Sequence, residues 1–136
     1  MEVKSEFSVA KWDEEKCGGP VGDSQVTRAS AIYEVSGAID GKLDVEYLVH
    51  YTDHGENDRH ASTATYIGYL TFSGSIEGKS GTLVLEDHGE YSPAGPVSEL
   101  MIKPGTGTGE LTGISGTGHY SAEGEKMILE LNYDLR

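Results

Sequence analysis

Residues 104–120 read PGTGTGELTGISGTGHY, with glycine at 105, 107, 109, 113, 116 and 118. A phosphate-binding loop separates its glycines by four residues and ends in Gly-Lys-Ser/Thr ahead of a helix. Here the glycines alternate and no lysine follows. A dinucleotide fingerprint needs a third glycine where Glu110 stands, and a helix after it. Leu111 and Ile114 are spaced for one tight turn, which speaks against a flexible linker. The stretch therefore predicts a strand end, a single 3₁₀-like turn at Glu110–Gly113, and a glycine-kinked strand into His119 and Tyr120. A barrel needs such corners to close.

The flanking sequence alternates with a period of two. EFSVAKW places Phe7 and Val9 on one face. LDVEYLVHY places Leu43, Val45, Tyr47, Val49 and Tyr51 opposite Asp44, Glu46, Leu48 and His50. KMILELNYDL sets Met127, Leu129, Leu131, Tyr133 and Leu135 against Lys126, Ile128, Glu130 and Asn132. Such alternation marks half-buried strands. Turn signals at 17–22, 37–41, 53–58, 77–79, 92–96, 104–109 and 123–125 leave eight strands, near 3–12, 25–36, 42–52, 62–75, 80–91, 96–103, 115–122 and 125–135. Short connections make neighbours antiparallel. The expected fold is all-β, an eight-stranded antiparallel up-and-down barrel formed by one domain over residues 1–136. Closure lets the last strand pair with the first and removes both edges. Eight strands enclose room for side chains or one small ligand.

Composition narrows the function. The chain carries 23 acidic and 10 basic side chains, a net charge of −13, which disfavours nucleic acid and anionic membrane surfaces. No apolar run reaches transmembrane length and the first residues lack a secretion signal, so a soluble cytoplasmic protein is expected. The single cysteine, Cys17, has acidic and glycine neighbours that disfavour its thiolate, and it excludes cysteine-rich zinc modules. Ser24 and Ser80 lack the nucleophile elbow of a serine hydrolase.

The segments TRAS (27–30), VEYLVHY (45–51), ATYIGYLTFSG (64–74), KSGTLVLEDHGEY (79–91), PGTGTGELTGISGTGHYSA (104–122) and LNYDL (131–135) together resemble the bacterial domain of unknown function 3224. The resemblance runs from Phe7 to Leu135. It implies a barrel similar in fold to the allene oxide cyclase and dirigent barrels, often assembled as a homo-oligomer, with no assigned activity. The chain departs from the family pattern at Leu70, where members often carry a polar residue.

Candidate lumen residues are Trp12, Glu46, His50, Tyr69, Glu86, His88 and His119, polar or aromatic groups on strands. A histidine and a glutamate sharing the lumen would move protons on a small ligand. The alternative places these faces outside, in solvent. The loop at 51–60 gathers Asp53, His54, Glu56, Asp58 and His60, but without calcium-loop or zinc-helix spacing, and no metal or cofactor is expected. The eight tyrosines suit core or interface packing. The expected function is binding of a small apolar or amphipathic ligand in the lumen. The alternatives are a cyclase or isomerase of a small hydrophobic substrate, and a non-catalytic structural barrel.

Overall fold

The computed structural model describes residues 1–16, 25–53 and 63–135. Eight strands follow one another around a closed antiparallel barrel. They are β1 (Glu2–Lys16), β2 (Gln25–Gly37), β3 (Ile39–Asp53), β4 (Thr63–Ile76), β5 (Lys79–Ser92), β6 (Gly95–Ile102), β7 (Ser115–Glu123) and β8 (Lys126–Asp134). The barrel closes through β1 and β8, whose register runs from Glu2 opposite Asn132 to Phe7 opposite Met127. The expected fold is thus the observed one. Cys17, Ser24 and the loop residues His54, Glu56, Asp58 and His60 lie outside the described residues. Among the described residues no helix is long and apolar enough to cross a membrane.

Alternation sorts every strand into an inner and an outer row, because successive side chains leave a pleated strand on opposite sides. Leu43, Val45, Tyr47 and Val49 of β3 are buried, while Asp44, Glu46, Leu48 and His50 are exposed. The inner rows meet in one core that includes Leu43, Leu70, Phe72, Leu83, Leu85, Leu129 and Leu131. Leu70 is fully buried in it.

The two ends of the barrel differ. At the base, the chain leaving β6 keeps bonding to β5: Lys103 N–H donates to Val84 O at 2.9 Å and Thr108 N–H to Thr82 O at 2.9 Å. It then forms a 3₁₀ turn at Gly109–Leu111. Leu111 and Ile114 are buried and close this end. The glycines here have steric reasons. A Cβ on Gly107 would sit 2.0 Å from Leu111 O, and Gly116, the second residue of β7, has φ 144 and a Cβ there would sit 2.2 Å from Asn132 O. The stretch at 104–120 is thus both the predicted corner and the plug of the barrel base.

At the opposite end, which we call the mouth, β1 outruns its partner. Ser8–Lys16 pairs with β2 alone, with a register shift between Val9 and Lys11. That bulge at Ala10 moves Trp12, in place of Lys11, opposite the buried Ala31 and so onto the inner row. Val9, expected to pack beside Phe7, is exposed, since β8 does not reach it.

Leu111→Ala is expected to lower unfolding stability by about 2–5 kcal/mol, the usual cost of emptying a buried leucine site. Thr112→Ala, on the exposed side of the same turn, should cost less than about 1 kcal/mol. Urea denaturation of both variants checks this; equal effects would show that the turn does not plug the core.

Candidate functional site

Strand β5 carries the sequence LVLEDHGEY, in which Leu83, Leu85 and Asp87 fall on the same side. Leu83 and Leu85 are core residues, so alternation drives Asp87 into the barrel, where its exposure is 0%. Around it stand hydroxyls from four other strands. Tyr47 (β3) donates to Asp87 Oδ2 at 2.5 Å. The Tyr47 and Tyr120 (β7) hydroxyls are 2.6 Å apart. Tyr66 (β4) lies 2.5 Å from Ser98 Oγ (β6) and 3.3 Å from the Tyr120 hydroxyl. A tyrosine hydroxyl has one proton. With the Tyr47 proton given to the carboxylate, Tyr120 must donate to Tyr47, so this part of the chain of hydroxyls is polarised toward Asp87.

Two inward glycines make room for the rings. A Cβ on Gly68 would lie 2.7 Å from Tyr47 Cδ1, and one on Gly89 would lie 2.3 Å from Tyr66 Cζ. The Tyr47 and Tyr66 rings then pack with centroids 4.7 Å apart. Phe7, Tyr33 and Tyr120 extend the aromatic cluster toward β1 and β2.

Burial dominates the electrostatics. It pushes the Asp87 carboxyl from 3.8 up to about 6, against the opposing pull of the nearby Tyr47, Ser98 and Tyr120 hydroxyls and the charge of His88. Burial likewise raises Tyr33 and Tyr66 to about 12, and Tyr47 and Tyr120 well above the ordinary value. Asp87 Oδ1 is buried without a hydrogen-bond partner.

Between this cluster and the mouth lies a second carboxylate. Glu14 accepts from Trp12 Nε1 at 3.1 Å, from Thr27 Oγ1 at 2.6 Å and from the Tyr51 hydroxyl at 2.5 Å. The Trp12 ring is 6.4 Å from the Tyr47 ring, yet Trp12 is 45% exposed. Trp12 and Glu14 therefore line an accessible rim directly above the buried tyrosines.

Of the seven sequence candidates, only Trp12 stands on the inner row. Glu46, His50, Tyr69, Glu86, His88 and His119 belong to outer rows, which corrects their expected place in the lumen: each is one residue out of phase with the buried set. Four of them, Glu46, Tyr69, Glu86 and His88, do come together, but in a groove on the outer wall. There Glu46 bonds Arg28 at 2.6 Å, and hydrogen bonds from Ser30 and Arg28 hold its carboxyl below the usual range. His50 sits on the same wall, opposite Val26 and Thr65. His119 lies on another wall, paired with Glu130, which also holds Lys4 at 2.8 Å. No cluster of three or more potential metal ligands occurs among the described residues.

The sequence reading missed Asp87 and Ser98 and left Tyr47, Tyr66 and Tyr120 as packing residues. The signal for Asp87 was present, as a carboxylate in phase with Leu83 and Leu85. The convergence of the tyrosines required the register of five strands.

Comparison with known proteins agrees with this architecture. Residues 3–134 match the family described as Protein of unknown function (DUF3224), and the chain belongs to that family. A crystal structure of a DUF3224 protein of unknown function from Shewanella oneidensis superposes with a TM-score of 0.81 at 23% identity, covering 100% of this chain and 98% of the other. That likeness shows the shared fold. No curated protein matches the chain.

The raised Asp87 value has a defined sign. The folded state binds this proton more tightly than the unfolded chain, so the Asp87 contribution to stability falls as pH rises from about 4 through about 6. Two units correspond to about 3 kcal/mol. Asp87→Asn removes the titration. The stability difference, variant minus wild type, should therefore shift in favour of the variant by about 2 kcal/mol between pH 4 and pH 8. Parallel pH profiles would show that Asp87 titrates normally.

Proposed function

We propose that the barrel binds a small amphipathic molecule through its mouth, with a hydrogen-bond-donating head on Asp87 Oδ1 and an apolar body against Trp12 and the tyrosine rings. The observation that carries this reading is the unpartnered oxygen of a fully buried carboxylate. Leaving such an acceptor unsatisfied costs about 1–3 kcal/mol, and native folds rarely leave one without a function. The aromatic surroundings supply the apolar contact that small-ligand sites use, while a few polar groups fix orientation.

Two other readings have less support. A cyclase or isomerase working through a lumen carboxylate–histidine pair has no histidine to use among the described residues, since His50, His88 and His119 face outward. Proton transfer would fall to Asp87 with Tyr47 and Tyr120. A purely structural barrel accounts for the filled base around Leu70, Phe72 and Leu111, but it gives no reason for Asp87.

Trp12 is the only tryptophan in the chain, so its fluorescence reports on the mouth alone. Native mass spectrometry of freshly purified protein is expected to show a bound small molecule. Titration with a panel of long-chain amines and alcohols is expected to shift Trp12 emission saturably. Asp87→Asn should weaken that binding by about tenfold or more, the worth of one hydrogen bond to a charged group. A protein with no adduct and no emission change, or equal affinity in the variant, would overturn the reading.

A further inference from the structure

Among the described residues, Asp87 is the only buried one that carries a charge; the other buried polar residues, Ser5, Thr27 and Ser98, are neutral. No described lysine, arginine or histidine is buried. His88, whose charge reaches Asp87, points to the outer wall. The chain's ion pairs, such as Arg28 with Glu46 and Lys126 with Glu6, lie on exposed faces. The barrel thus holds a carboxylate with one oxygen unbonded and no cation inside to balance it. A buried charge without a counter-charge is costly.

We infer, resting on the ligand site proposed above, that the bound molecule is cationic: an aliphatic amine whose ammonium head pairs with Asp87 Oδ1 and whose chain lies against Trp12 and the tyrosine rings. A neutral hydroxyl would give Oδ1 a hydrogen bond but leave the charge unbalanced. An ammonium supplies both, and such charge-assisted bonds are the stronger kind. Its remaining N–H groups find acceptors in the nearby tyrosine and serine hydroxyls, which accept as well as donate. An anionic head is excluded by repulsion from Asp87. A bare metal ion fits poorly, because no three acidic, histidine or cysteine side chains gather among the described residues. The approach also favours a cation. Glu14 and the indole of Trp12 stand at the mouth, and aromatic faces attract ammonium groups. The net charge of −13 draws cations toward the protein.

Octylamine and octanol, matched in length, test this by titration of Trp12 emission at pH 7. The amine is expected to bind tighter by about tenfold or more, and Asp87→Asn should abolish that preference. A second measurement needs no variant: a carbon-13 NMR titration of the wild-type Asp87 carboxyl with octylamine saturating. The titratable groups near Asp87 are Tyr33 of β2, Tyr47 of β3, Tyr66 of β4 and Tyr120 of β7, all raised by burial and neutral in this range, with His88 outside and Glu14 of β1 toward the mouth. An ammonium stabilises the ionised carboxyl alone, so the midpoint should fall from about 6 by about one unit for each tenfold preference for that form. Equal or tighter binding of octanol, lost in Asp87→Asn, would overturn the amine assignment and leave the ligand site standing. Binding of neither would overturn both. A preference that persists in Asp87→Asn, or a midpoint unmoved with the amine bound, would place the amine on the acidic outer surface and overturn the inference.

Discussion

Each strand of a closed barrel has two sides, and the register with its neighbours decides which side chains go in. A slip of one residue would exchange the two sets completely. In this chain the register is fixed twice over. The apolar rows of β3, β4, β5 and β8 must face one another, and Glu2–Phe7 of β1 must pair with β8 to close the ring. Once Leu83 and Leu85 are inside, Asp87 has no other place to go. Its neighbours Glu86 and His88 are forced out by the same rule.

The interior then divides along its length. The base is a packing of aliphatic and aromatic side chains capped by Leu111 and Ile114. Higher up, Gly68 and Gly89 give the space that the Tyr47 and Tyr66 rings occupy, and four strands besides β5 bring hydroxyls toward one carboxylate. The Tyr47 hydroxyl satisfies Oδ2 and leaves Oδ1 without a partner. Replacing Asp87 with an apolar residue would serve packing better, because removing a carboxylate from water opposes folding unless both oxygens are paired. The site therefore has the character of a functional group held at a cost to stability.

Much of the fold was legible in the sequence. Alternation and turn residues located all eight strands, and the glycine spacing at 104–120 located the corner at the base. The site was less legible, for physical reasons that differ by residue. Asp87 was readable, as the polar member of an apolar row, but Glu86 and His88 beside it drew attention through their chemistry while their phase pointed outward. Trp12 reaches the inner row through the bulge at Ala10, an irregularity that alternation does not reveal. Tyr66 and Tyr120 belong to strands far apart in sequence, so only the completed register brings their hydroxyls within 3.3 Å of each other. The outer groove follows the same logic, since Leu48 and Tyr69 become neighbours only across paired strands.

The barrel holds a carboxylate whose surroundings, and not its sequence neighbours, set its protonation. The most direct measurement is a carbon-13 NMR titration of the Asp87 carboxyl, assigned by its loss in Asp87→Asn. A midpoint near pH 6 is expected, raised by burial among Tyr47, Tyr66 and Tyr120. A midpoint at or below about 4, the ordinary value for aspartate, would mean that burial does not govern its protonation and would contradict the account.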